Sequence, residues 1–288
     1  MLHYLKPQKI ASEKSRLGSN SDGGYVVSDI ALESCNTLMT YGYGGDKSYE
    51  DAFIAKYNKP VYLFDHTVNQ DNWDIGDLHF ISEGLGNSEK STIEANQLSE
   101  DLQSKKEELI NDLQSVNSNN VASIKNLKNK LNTLLDVTTR LGNSLSLKSA
   151  RDHYNQLNLQ GDVFLKIDIE GAELDYFNEI DIDDLASFTT GLIVEVHWID
   201  QEHNRNKFIS MLEKLSNHYV LTHIHGNNWG GEFDFEGHKV PRVPELSFVN
   251  KKLLTNWEPD NQSYPIEGLD FKNNQSIDDC DLSFLNTI

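Results

Sequence analysis

The stretch Val163-Phe164-Leu165-Lys166-Ile167-Asp168-Ile169-Glu170-Gly171-Ala172-Glu173 sets a short apolar run ahead of two carboxylates and a glycine. That pattern is a buried strand delivering acids to the carboxyl edge of a sheet, where α/β proteins bind their ligands. Outward from it, residues 149–157 and 174–180 read as helices, and Gly161-Asp162 is the turn into the strand. Gly191-Leu192-Ile193-Val194 is the next strand and ends in Glu195-Val196-His197-Trp198. After a helix over 206–215 comes the strand 219–224, ending in His225-Gly226-Asn227-Asn228-Trp229. The last strand, 246–249, follows a short proline-bearing connection that suits an antiparallel pairing.

The first half of the chain repeats the strand-then-loop theme. Residues 16–25 are dense in turn formers, and Gly23-Gly24 leads into Val26-Val27; this is a loop over a ligand, with Arg16 and Asp22 as its polar contacts. Strand 37–41 runs into Gly42-Tyr43-Gly44-Gly45-Asp46 and a helix over 48–57 that Ser48 caps. Glycines let a backbone approach a nucleotide-like cofactor, and a helix N-terminus favours its negative groups. Strand 61–64 then ends in Asp65, about 20 residues on, where an acid takes ribose hydroxyls; His66 reads as its solvated neighbour. Strand 78–81 ends at Ser82-Glu83-Gly84-Leu85-Gly86, so three βα units in succession predict a parallel sheet with helices on its faces.

Between the halves glycine and aromatics vanish. Leu98, Leu102, Leu109, Leu113 and Val116, then Ile124, Leu127, Leu131, Leu134 and Leu141, recur at helical spacings as one apolar stripe per helix. Asn117-Ser118-Asn119-Asn120 is the turn of an antiparallel hairpin, with arms of about 20 residues and about 30 Å. The expected organisation is an N-terminal cover with the cofactor half over 1–90, the hairpin over 91–143, and the second half with acceptor-side loops and tail over 144–288. Arms with narrow stripes pack on each other and then either on their own body or on a second subunit, and the second case makes residues 91–143 the contact of a homo-oligomer.

Of 288 residues 25 are basic and 45 acidic, a net charge of −20, which argues against nucleic acid or an anionic membrane as the partner. The chain carries no run of the ~18 apolar residues that a membrane span needs. Two distant cysteines, Cys35 and Cys280, fit a reduced cytoplasm better than a disulfide scaffold.

Three strand ends converge: Asp168 with Glu170, Glu195 with His197, and His225 with Asn227. Oxygen ligands with an imidazole suit a divalent cation such as Mg²⁺ or Mn²⁺, with Asp168, Glu195, His197 and His225 as the ligands. The same groups also suit general-base work, by Asp168, His197 or His225. Glu170, Asn227, Asn228 and Trp229 face the acceptor, and Trp198 and Trp229 have the flat rings that stack on a sugar.

Residues 165–173 resemble the signature of the FkbM-type S-adenosylmethionine-dependent methyltransferases. Residues 16–25, 43–50 and 225–228 resemble blocks of related proteins, so the likeness covers about 14–90 and 144–250; the helical hairpin departs from the pattern. The resemblance implies a Rossmann-like class I methyltransferase fold, a seven-stranded mixed sheet whose last hairpin is antiparallel, here with an inserted helical hairpin. It implies O-methylation of a sugar or polysaccharide precursor with S-adenosylmethionine as cofactor. Gly42, Gly44 and Asp46 then meet the methionine end, Asp65 the ribose, and Glu83, Gly84 and Leu85 the adenine. Where the family's glycine loop opens on an acid this chain has Tyr41, which leaves Asp46 to meet the ammonium. Two other readings use the same residues: a metal-dependent hydrolase, and a non-catalytic oligomerisation module.

Overall fold

The computed structural model describes residues 1–68, 70–115 and 121–288. Eight strands form the central sheet: β1 (Thr37–Tyr41), β2 (Val61–Phe64), β3 (Trp73–Ile75), β4 (Leu78–Ile81), β5 (Val163–Ile167), β6 (Thr189–Glu195), β7 (Tyr219–Gly226) and β8 (Pro244–Asn250). Their order across the sheet is β7-β8-β6-β5-β1-β2-β4-β3. From β6 to β4 every pairing is parallel, β8 runs antiparallel to both its neighbours, and β3 is antiparallel to β4. Seven of these strands are the expected mixed sheet of a class I methyltransferase. The eighth is the edge strand β3, which stands where a helix was expected between the second and third strands; among the described residues no helix links β2 to β4.

Each central strand is apolar on both faces because both faces are covered. On β5, Val163, Leu165 and Ile167 enter one core, while Phe164 enters the other. Met39 and Leu38 on β1, and Leu192 and Ile193 on β6, divide the same way, as the two-residue period of a strand requires. The first face carries α5 (Ala150–Gln156), α6 (Glu173–Glu179), α7 (Ile182–Phe188) and α8 (Glu202–His218); the second carries α1 (Asp29–Ser34) and α2 (Ser48–Tyr57). A capping box at Ser149 and Asp152 starts α5, whereas α2 starts differently from expectation. Ser48 does not cap it: Asp46 accepts the Ser48 amide at 2.8 Å and its hydroxyl at 2.9 Å.

The insertion consists of α3 (Ser88–Ser115) and α4 (Val121–Ser146), packed along their lengths, each about 40 Å at the α-helical rise and longer than the sequence suggested. The proposed turn at 117–120, with Val116, lies outside the described residues. Ala95, Leu98 and Val137 are buried between the arms. Leu113, Ile124 and Leu131 are more than half exposed, so the stripe expected to close the hairpin is split between its seam and its surface. Where the insertion joins the sheet, Gly84–Leu85 pairs in parallel with Leu147–Lys148. No helix among the described residues is long and apolar enough to cross a membrane.

One contact fixes how the sheet meets its ligand edge. Gly42 has φ +93°, and a Cβ there would lie 1.7 Å from the Asp168 carbonyl oxygen. Gly44 has φ +55° but open space around it. The left-handed backbone alone costs an alanine about 1–2 kcal/mol. We expect Gly44→Ala to lose about that much and Gly42→Ala clearly more, read as the drop in thermal midpoint; equal losses would mean that the Gly42 contact is not tight.

Candidate active site at the carboxyl edge of the sheet

Sheet register lines up the residues that follow the strands. Tyr41 pairs with Phe64 and with Ile167, and Ile167 pairs with Val194. One step on, Asp65, Gly42, Asp168 and Glu195 therefore stand in a single row. The row is held by backbone hydrogen bonds, from the Gly42 amide to Phe64 O (3.0 Å) and from the Asp168 amide to Tyr41 O (3.0 Å).

Over the row lies a cavity of about 630 Å³, a size usual for cofactor sites. Gly42, Gly44, Asp46, Asp65, Gly84 and Leu85 all line it, as do Asp168 and Glu170. Asp65 accepts the Tyr43 amide (2.9 Å) and both the amide (2.8 Å) and hydroxyl (2.6 Å) of Thr67. Burial works to raise its pKa, but these donors hold it below the ordinary carboxylate value. Gly84 has to be glycine, since a Cβ would meet His66 Nδ1 at 2.3 Å. His66 is thus a half-buried wall of the cavity rather than a solvated neighbour, and burial lowers its pKa. Glu83 does not join the wall: it pairs with His153 (3.2 Å) and Lys148 (2.6 Å), which hold it down at about 2. Arg16 does not face the ligand either. Its guanidinium donates to Ser19 O (2.9 Å) and Ser21 O (3.0 Å) and so fastens the covering loop, while Asp22 lines the cavity.

Beside the cavity His197 is oriented from behind. Its amide (2.6 Å) and its Nδ1 (3.0 Å) both meet Glu173 Oε1, a carboxylate with no exposed surface. Nε2 is left pointing at Glu170 (3.5 Å), Glu195 (3.8 Å) and Asp168 (3.9 Å). Burial opposes protonation of the ring, but Glu173, Asp168 and Glu170 outweigh it and raise the pKa. Glu195 is fully buried: Tyr25 donates its hydroxyl to one oxygen (2.8 Å) and Asn227 its amide to the other (2.8 Å). Desolvation first, then Asp168 and Glu245, push the Glu195 pKa up; desolvation also raises Asp168.

Ligand atoms of Asp168, Glu170 and His197 lie within 4.8 Å of one another. His225, expected as a metal ligand or base, is not in this group. Its Nδ1 meets Glu245 (3.0 Å) and its Nε2 meets Asp279 (3.3 Å). Burial alone would lower its pKa, yet those two carboxylates hold it up at about 10, so at neutral pH it is an imidazolium with no lone pair to offer. Asn228, expected on the acceptor, is buried and ties down the C-terminal tail, donating to Asn274 O (3.0 Å) and Asp278 O (3.2 Å). Trp229 and Trp198 are exposed; Trp198 sits at φ +55° against Gly171, where a Cβ would meet its ring at 2.4 Å.

The family model of the methyltransferase FkbM domain matches residues 31–221. The chain belongs to this family. No curated protein and no solved structure matches the chain significantly. The FkbM stretch contains β1 to β6, Asp65, Asp168 and His197, and stops short of His225.

Several residues of the site were missed in the sequence. Lys166 lines the cavity from a buried strand, and a lysine inside an apolar run is itself a signal. Glu50, buried on the first turn of α2, and Tyr25 also line the cavity. Glu173 stood in the opening motif, but nothing local says that its carboxylate turns back to His197. Asn273 reaches Glu245 (2.7 Å) from the tail, across a separation no pattern spans.

His225 gives a pH signature. In an unfolded chain its pKa is about 6.5; the folded value is higher, at about 10. Its pairing therefore stabilises the fold fully below about pH 6.5, and that contribution fades as pH rises toward about 10. Wild-type protein should lose thermal stability between about pH 7 and about pH 10, and His225→Gln should be less stable at neutral pH with a flatter profile. Parallel profiles would show that His225 does not carry the charge.

Proposed function

We propose that this methyltransferase uses S-adenosylmethionine to methylate a hydroxyl oxygen on a neutral, polyhydroxylated acceptor such as a sugar or polysaccharide precursor. One observation carries the reading. Six carboxylates, those of Asp22, Asp46, Glu50, Asp65, Asp168 and Glu170, line the cavity with Lys166 as its only lysine or arginine among the described residues. That balance suits a ligand with a sulfonium and an ammonium facing acids and one carboxylate facing a lysine. It disfavours an anionic acceptor for the same reason. The close approach at Gly42 and the acid at Asp65 fit the cofactor's methionine and ribose ends. With Tyr41 in place of an acid, Asp46 or Glu50 takes the ammonium and Lys166 the carboxylate.

S-adenosylmethionine supplies an electrophilic methyl group. The work left to the chain is to place the acceptor oxygen and to take its proton. His197 is the base: Glu173 occupies Nδ1 and leaves Nε2, which makes no hydrogen bond among the described residues, toward the cavity side. Asp168 holds the acceptor hydroxyl, and Trp198 offers a face to the sugar ring. Two buried free cysteines, Cys35 and Cys280, support a reducing, cytoplasmic setting.

A metal-assisted version is favoured by the Asp168, Glu170 and His197 donors. Hard oxygens with one imidazole suit Mg²⁺ or Mn²⁺, which would acidify the hydroxyl, and Glu173 behind the imidazole matches the outer carboxylate common at metal-bound histidines. Full turnover in excess EDTA would leave His197 acting alone.

Calorimetric titration with S-adenosylmethionine separates this reading from a hydrolase or a non-catalytic module, both of which predict no binding. Asp168→Asn should keep cofactor affinity within about threefold while lowering turnover at least 100-fold, in line with losing one oriented acid–base or metal-holding group. Lys166→Met should do the reverse and weaken cofactor binding by about tenfold, a change of about 1.4 kcal/mol. An Asp168→Asn enzyme that still methylates would overturn the assignment.

A further inference from the structure

Six apolar side chains left on the surface of the long hairpin form one stripe; Ile93 of α3, 55% exposed, lies off it. Ile124, Leu131, Leu135 and Leu145 on α4 and Ile110 and Leu113 on α3 are between 44% (Ile110) and 65% (Leu135, Leu145) exposed. An α-helix turns by about 100° per residue. By that count the four residues of α4 fall within an arc of about 80°, and the two of α3 within about 60°. By the same count the α3 arc lies about a quarter turn from Leu98 and the α4 arc about a third of a turn from Val137, the residues that mark the seam where the arms touch. The arms run antiparallel, as the Lys130–Glu108 (2.6 Å), Asn126–Asp112 (3.4 Å) and Arg140–Glu94 (3.7 Å) contacts show. In that register both arcs face the same side, and Leu113 stands level with Ile124.

Charge says what covers this side. The α3 segment 88–115 has seven acidic and three basic residues, a net −4; the α4 segment 121–146 has four basic and one acidic, a net +3. Lys125 and Lys128 make no ion pair among the described residues. A second copy of the hairpin is complementary to the first in one arrangement. With the two-fold axis along the hairpin, each acidic α3 lies against the partner's basic α4, all neighbours are antiparallel, and Ile110 and Leu113 meet the partner's apolar residues near the tip. With the axis across the hairpin, α4 would instead lie on α4, basic on basic.

We infer that the protein is a homodimer closed by a four-helix bundle of two such hairpins, α3 of each against α4 of the other. Isologous contacts of this kind are the commonest way to bury an apolar stripe between identical chains. The bundle is built from residues remote from the methyl-transfer site, so this inference does not depend on the proposed chemistry.

Light scattering on the full chain at micromolar concentration should give twice 32.7 kDa. Leu131→Glu/Leu135→Glu should give a monomer with an unchanged circular dichroism spectrum, because both positions are on the surface of the isolated chain. A wild-type monomer, or a dimer indifferent to the double substitution, overturns the proposal. For the axis, Leu113→Cys protein mixed with Ile124→Cys protein should form an intermolecular disulfide on oxidation. Ile124→Cys mixed with Leu145→Cys should not, since those positions are about 30 Å apart along the arm; the opposite pattern, or no cross-link in either mixture, overturns the α3-on-α4 arrangement.

Discussion

Everything at the ligand edge depends on how closely two strand ends approach. The Asp168 carbonyl rests where a side chain at position 42 would begin. That approach forces a left-handed glycine after β1, brings the turn under the cavity, and keeps Asp65 and Asp168 on opposite sides of a residue with no bulk of its own. Asp65 and Asp168 both line the cavity, and Gly42 is the gap between them. A sheet with the same strand order and a looser join at this point would scatter the two carboxylates.

Two histidines at equivalent strand ends show how neighbours decide chemistry. His197 faces one fully buried glutamate with Nδ1 and turns Nε2 outward. His225 is gripped by carboxylates at both nitrogens. A ring held on one side remains a base or ligand; a ring held on both becomes a fixed cation that neutralises its surroundings. That cation matters because Glu195 and Glu245 are buried close by and pair in register across the sheet.

The strand order was legible because buried parallel strands are short apolar runs, and each ended in a polar residue at the right place. Asp65, Asp168 and His197 could be found that way. The edge strand at 73–75 could not, since Trp73-Asp74-Ile75 is too short to show a period. Glu83 misled because a carboxylate after a strand has several partners within reach, and Lys148 and His153, more than 60 residues on, claimed it. His225 misled for the same reason, its partner Asp279 lying in a tail without periodicity. In the hairpin the heptad spacing was read correctly as helix, but spacing alone does not tell which of two adjacent seams turns inward.

The tail and the N-terminal loop meet over the site: Asn273 donates to Asp22 at 3.1 Å and to Glu245 at 2.7 Å, and Tyr25 and Asn227 close on Glu195 from opposite directions. Asp22, Tyr25, Asn227, Glu245 and Asn273 all lie outside the FkbM stretch. The row of acids thus lies within the matched stretch, while the groups that close over it come from both of its flanks. A change in either flank therefore alters the cover of Glu195 without touching the strands that carry the row.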